Sequence, residues 1–184
     1  MKNTHSIFTT FLVFIFLTSF TGLAFPDWKL DLIATGKKIK GQYKSTVNIG
    51  AAQKVSHIPA PPTAPVYSCR MVIYDTSDWS ATLNTDIHDI AQASQMWVIS
   101  VNPHGNTGPP SDQSVTISWN PDRLGPGNFE IREGWDGTGA VVVNMKEKIS
   151  MTVTGGNEDI YFSIVPHRTP NPQQNNHPRR SKHS

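Results

Sequence analysis

An all-β fold, a sandwich or barrel of antiparallel strands, is predicted by three features of the sequence, and a two-sheet antiparallel sandwich, immunoglobulin-like or jelly-roll-like, is the form expected. Between Ser114 and Pro166 the apolar residues recur with a period of two, which places them on one face of a pleated strand. Clusters of Gly, Pro, Asn and Asp cut the same stretch into pieces of strand length and leave no room for a long helix. The joins between the pieces are short, so consecutive strands should pair antiparallel.

Taken in order, Trp28-Lys29-Leu30-Asp31-Leu32 alternates apolar and polar residues, with Trp28, Leu30, Leu32 and Ala34 expected to point inward. A turn at Gly36-Lys37 leads into Lys38 to Val47, where Ile39, Gly41 and Tyr43 oppose Lys38, Lys40, Gln42 and Lys44. A face with that many lysines suits a solvent-facing or edge strand, and the two segments read as an opening hairpin. From Asn48 the alternation fails. Ile58 to Pro65 has too few backbone donors and too many fixed φ angles for a sheet interior, so it is read as an extended, polyproline-like connection between the sheets.

Cys69 to Tyr74 reads as a strand, followed by a polar turn from Asp75 to Trp79. Leu83 to Ala91 is the one place with helical spacing, Ile87 standing three and four residues before Ile90 and Ala91. A short turn of helix capped by Asp86 is expected there. Trp97, Ile99 and Val101 begin the next strand, and Asn102 to Asp112 is loop. Five inward faces then follow: Val115, Ile117 and Trp119; Phe129 and Ile131; Val141, Val143 and Met145; Ile149, Met151 and Val153; Ile160, Phe162 and Ile164.

Three segments are expected. Residues 1–24 read as a signal peptide, with Lys2 as a sparse positive start, an apolar run from Ile7 to Phe20, and small residues before a cleavage point after Ala24. Residues 25–166 form the β-domain. Residues 167–184 contain no aliphatic or aromatic side chain, which predicts a disordered tail made basic by Arg168, Arg179, Arg180 and Lys182. The mature chain is therefore expected outside the cytoplasm: extracellular, on the cell surface, or periplasmic.

Charge and cysteine content exclude some function classes. With Lys2 and the four tail residues set aside, the sixteen basic residues fall to eleven against fourteen acids, so the body carries −3. A body of that sign gives no reason to expect nucleic acid as a partner. The tail is the part expected to touch anionic surfaces, through weak electrostatic contact with a membrane at most. A single cysteine excludes an internal disulfide framework, and its alternation with Met71 and Ile73 predicts a buried Cys69 thiol.

No constellation of catalytic type is found. Asp75, Asp78, Asp86 and Asp89 with His88 are the densest polar cluster, but their spacing matches no calcium loop and they read as a solvated turn. His57, His88, His104 and Cys69 are too scattered for a zinc motif, so neither metal nor cofactor is expected. No Gly-x-Ser-x-Gly elbow occurs, and Glu130 and Glu133 fall on opposite faces of one strand, so they do not form a glycosidase pair by themselves. Aromatic residues beside turns are the remaining clue. Trp135, in Gly134-Trp135-Asp136-Gly137, and Trp79 together with its neighbour Asp78 are the candidate binding residues, because a flat apolar ring with a polar edge stacks on sugars; the competing role for each ring is to plug an end of the core.

The residues Val115-Thr116-Ile117-Ser118-Trp119-Asn120-Pro121, then Leu124, Gly127 and Phe129, then Val143-Asn144-Met145, and finally Tyr161-Phe162-Ser163-Ile164 resemble a β-sandwich repeat of large secreted and surface-attached bacterial proteins. That resemblance implies an immunoglobulin-like or carbohydrate-binding-like module without catalytic activity, with envelope polysaccharide or a surface protein as partner. The chain departs from the pattern at Thr46 to Pro59, which lacks the acidic, Gly-rich run such modules carry before their prolines. The expected function is thus a secreted binding or structural module, and the rival class is a small secreted hydrolase.

Overall fold

The structure is a computed structural model, and it describes residues 26–38, 41–62, 69–92, 94–103, 113–156 and 158–167. The expected signal peptide, the tail beyond His167 with its four basic residues, His104, and residues 63–65 of the proline-rich stretch lie outside the described residues.

The opening hairpin forms, but Gly36 and Lys37, expected as its turn, are part of the first strand and pair with Tyr43 and Gln42. β1 (Trp28–Lys38) and β2 (Gly41–Ala52) pair antiparallel from Trp28↔Ala51 to Lys38↔Gly41, and Leu30, Leu32 and Ala34 are fully buried. The edge role expected of the second strand is corrected. β2 lies between β1 and β5 (Asp78–Asp89), and its pairing with β5 is parallel, from Asn48↔Thr85 to Ala52↔Asp89. Gly50 and Ala51 hide this strand from a hydrophobicity reading, yet their smallness admits the neighbours: a Cβ on Gly50 would run into the Trp28 carbonyl oxygen and the Ile87 side chain. The parallel arrangement also departs from the all-antiparallel expectation. It is possible because β3 (Ser56–Pro59) and β4 (Arg70–Asp75) intervene and supply the crossover a parallel pair needs.

Two further expectations between Asn48 and Ala91 are corrected. Part of the expected polyproline-like connection is the short strand β3, paired antiparallel with β5 from Ser56↔Ile87, and Pro59 sits at its end, where a missing donor is tolerated. The helical turn expected after Leu83 is absent: Leu83 to Asp89 belongs to β5, held by β2, β3 and β4. The helical spacing of Ile87 and Ile90 is a local coincidence that pairing with three strands overrides.

β6 (Trp97–Asn102) is buried along its whole length, and β7 (Gln113–Ser118) follows. A single 3-10 turn (Pro121–Arg123) is capped by the Asn120 side chain, which accepts from the Asp122 amide at 3.0 Å. β8 (Asn128–Glu133), β9 (Val141–Asn144), β10 (Ser150–Gly155) and β11 (Ile160–His167) complete the chain. Two inward assignments fail here. Val141 is exposed on the terminal strand β9, and Ile149, in the turn before β10, is 67% exposed. His167, expected to open the tail, is the last residue of β11 and pairs with Glu130 at 2.8 Å.

The order β10-β7-β1-β2-β5-β4-β6-β11-β8-β9, with β3 against β5, is one continuous sheet of eleven strands. It curls into a nearly closed barrel around a single core, so the division into two separate sheets gives way to one wrapped sheet. The reason lies in β5, which pairs with β2 along one half and with β4 along the other. Residues 145–149 draw the two ends of the sheet together: the Met145 amide donates to the Phe129 carbonyl at 2.8 Å, and the Trp119 amide donates to the Ile149 carbonyl at 2.9 Å. Trp119 is buried as expected, and its indole Nε1 also donates to the Met145 carbonyl at 2.9 Å.

Candidate functional site

Outside the core, four aromatic rings from four segments meet on the surface. Tyr74 is the residue before the end of β4, Trp79 is the second residue of β5, Trp135 stands in the loop after β8, and Tyr161 lies on β11. Trp79 and Trp135 contact edge to face at 5.4 Å and 86°, Tyr74 lies 6.2 Å from Trp79, and Tyr161 lies 5.6 Å from Tyr74. Trp79 is 44% exposed and Trp135 58%. Neither belongs to the core cluster, so neither plugs an end of it.

Three local devices hold the rings in place. Asp75 Oδ1 accepts from the Ser77 amide and hydroxyl at 2.8 and 2.6 Å, and Asp78 Oδ1 accepts from those of Ser80 at 3.0 and 2.6 Å. In the third loop Asp136 Oδ1 accepts from the Thr138 amide and hydroxyl, both at 2.9 Å. These Asp-x-Ser/Thr turns replace backbone pairing where the chain reverses. The Gly134 amide donates to the Tyr161 carbonyl at 3.0 Å, which pins the Trp135 loop to β11, and Gly134 and Gly137 adopt positive φ angles of 81° and 77° that favour glycine.

The charge state of the patch follows from the same bonds. The Ser77 hydroxyl and amide hold the Asp75 carboxyl below its usual range, the Ser80 hydroxyl and amide do the same for Asp78, and the Thr138 amide and hydroxyl for Asp136. A hydrogen bond with Tyr161, aided by burial, pushes the Tyr74 phenol up to about 12, so that ring stays neutral. The patch is therefore a row of uncharged aromatic faces flanked by ionised carboxylates. Asp78, singled out from the sequence as a binding residue, has Oδ1 engaged in shaping the turn that presents Trp79.

The remaining candidates are dispersed or joined differently from the sequence expectation. Asp75 and Asp78 serve their own turns, and Asp89 Oδ1 accepts from the Ala91 amide at 2.9 Å. Asp86, expected as a solvated cap, is instead buried, with Oδ1 2.7 Å from His57 Nδ1 and Oδ2 2.8 Å from His88 Nε2. His88 stacks on buried Trp97 at 4.9 Å, and the Trp97 indole donates to the Asp86 carbonyl at 3.0 Å. No local pattern joins the trio, because His57 sits on β3 at the border of the proline-rich stretch while Asp86 and His88 sit on β5, where the sequence carries helical spacing. Among the described residues no group of three or more His, Cys, Asp or Glu side chains is arranged to hold a metal ion.

For hydrolysis, Glu130 is committed to Arg132 at 2.6 Å and His167 at 2.8 Å. Cys69 is buried, its Sγ 3.7 Å from the Ala34 carbonyl, and burial pushes its thiol up, away from the nucleophilic thiolate. Compared with family models, with curated proteins and with solved structures, the chain finds no match.

Proposed function

We propose that the protein is a secreted, non-catalytic binding module, of the kind borne by large secreted and surface-attached bacterial proteins, and that its ligand is a glycan of the cell envelope. The observation that carries this reading is the contact between Trp79 and Trp135 on the surface. Two indoles left in water on a folded domain are unused apolar area with polar edges, which is what the C–H face of a sugar ring covers. Rings set at 86° do not lie together on a flat crystalline surface, so the arrangement suits a single soluble chain that presents different faces along its length. The carboxylates of Asp75, Asp78 and Asp136 beside the rings favour a neutral or amino sugar over an acidic one.

Retention on immobilised envelope polysaccharide tests the reading. Wild type should be retained, Trp79→Ala and Trp135→Ala should each lose most of that retention, and both variants should keep the wild-type fold by circular dichroism. Equal retention of folded variants and wild type would remove the aromatic patch as the site.

A further inference from the structure

A groove of about 820 Å³ opens beside the start of β1 and shares no residue with the aromatic patch. Four cations line it, and they come from four separate places in the chain: Lys29 on β1, Lys54 in the turn after β2, Arg123 in the 3-10 turn, and Lys146 in the connection after β9. Set against Asp27 and Asp122, the two acids in the lining, they give the groove +2. The body as a whole carries −3, so the residues outside the groove sum to −5, with Lys37, Lys38, Lys40 and Lys44 as a second basic stretch in and around the β1–β2 reversal. Positive charge concentrated in a concave site attracts anions to that site.

The groove is also built from fixed parts. Lys146 Nζ donates to the Leu124 carbonyl at 3.2 Å and lies 5.9 Å from the Phe129 ring centroid, so its charge is held at the rim. The Asp27 carboxylate accepts from the Gln53 amide at 3.1 Å and is thereby tied to the turn that carries Lys54. Trp28 forms part of the wall and is wedged between Trp97 at 5.4 Å and Phe129 at 5.1 Å, both edge to face. Gly125 lies against this indole so closely that a Cβ there would clash with Nε1. The site thus offers a rigid aromatic wall with cations placed around it. That combination matches a ligand with anionic groups on an otherwise weakly polar ring.

We infer that this groove binds an acidic saccharide, a short stretch of a chain whose sugar units bear carboxylate or sulfate groups. The cations would pair with the acid groups, and the half-buried rim of Trp28 would border the apolar part of the sugar ring. This second site is separate from the glycan site proposed for Trp79 and Trp135, and neither depends on the other.

The test titrates the full mature chain with oligogalacturonate, a sulfated oligosaccharide of similar length, and a neutral oligosaccharide, by calorimetry at low salt. The expected result is binding of at least one acidic oligomer and not of the neutral one. The double substitution Lys54→Gln/Arg123→Gln should weaken that binding by roughly tenfold or more. Lys44→Gln/Lys148→Gln, which removes the same charge outside the groove lining, should leave it unchanged. The carboxylated and sulfated arms show which acid group is preferred. Equal weakening by both double variants would show bulk charge attraction, tail included, and overturn the groove as a site. No binding of either acidic oligomer, or equal binding of the neutral one, would also overturn it.

Discussion

Trp79 and Trp135 stand 56 residues apart in the sequence and touch edge to face, their ring centroids 5.4 Å apart. Each is delivered by an Asp-x-Ser/Thr turn, Asp78 with Ser80 and Asp136 with Thr138. Their contact joins the start of β5 to the loop after β8, across the outside of the sheet.

An edge-to-face pair of this kind is worth about 0.5–1.5 kcal/mol beyond the area it buries. Urea melts of Trp79→Ala, Trp135→Ala and the double variant should give a coupling energy within that range, with each single change costing ~1 kcal/mol or less beyond it. Coupling near zero would show that the two rings do not hold each other in solution.

Trp119 closes the barrel, and its loss should be felt globally. Trp119→Ala removes a buried ring from the junction of the two sheet ends and should cost ~3–5 kcal/mol. Trp119→Phe keeps most of the packing and deletes only the Nε1 donor to Met145, so ~1–3 kcal/mol is expected from the orphaned carbonyl. A chemical melt in which alanine costs no more than phenylalanine would place the ring outside the core.

Asp86 on β5 ties β3 to the barrel through His57 and is braced by His88 of its own strand. Asp86→Ala leaves two imidazoles without their acceptor and should destabilise by ~1–3 kcal/mol. Hydrogen exchange should locate the damage, with faster exchange in residues 56–59 and 85–89 than in β6. Uniform acceleration through the whole sheet would argue that the trio supports the entire core.

Four carboxyls tie stability to acid pH. Asp75, Asp78 and Asp136 are held low by hydrogen bonds from Ser77, Ser80 and Thr138. For Glu130 burial acts to raise the carboxyl, and the bonds from Arg132 and His167 outweigh it and lower it. A group lowered on folding binds fewer protons in the native state, so its contribution is fully present above the ordinary carboxyl value of ~4 and is lost as pH falls through the lowered one. Stability attributable to these groups should therefore be level from pH 7 to about 5 and decline below about 4. The triple variant Ser77→Ala/Ser80→Ala/Thr138→Ala should show a shallower decline in urea melts across that range.

Deleting residues 168–184 should leave the melting curve in place, because His167, the end of β11 and the partner of Glu130, is kept. The deletion should reduce binding to anionic vesicles at low salt, and full-length binding should fall to the truncated level by ~0.15 M salt, where screening acts over ~8 Å. Equal binding of both forms at low salt would leave the tail without an electrostatic partner.

The sequence by itself determined the strands whose alternation is unbroken. Leu30, Leu32 and Ala34, then Val115, Ile117 and Trp119, then Phe162 and Ile164 are buried as their period of two requires, since the pleat alone decides which face a residue joins. It also marked Trp79 and Trp135, because a large aromatic beside turn residues is visible locally. Only the tertiary structure decided that these two rings touch, that Gly50 and Ala51 lie in an interior strand paired in parallel, and that the eleven strands form one wrapped sheet. It alone brought Asp86 between His57 and His88, and Lys29, Lys54, Arg123 and Lys146 to one groove. The physical reason is common to all of these. Register and curl depend on which distant strands meet, small residues carry no periodic signal of that meeting, and a charged side chain shows its partner only when the sheet has closed around it.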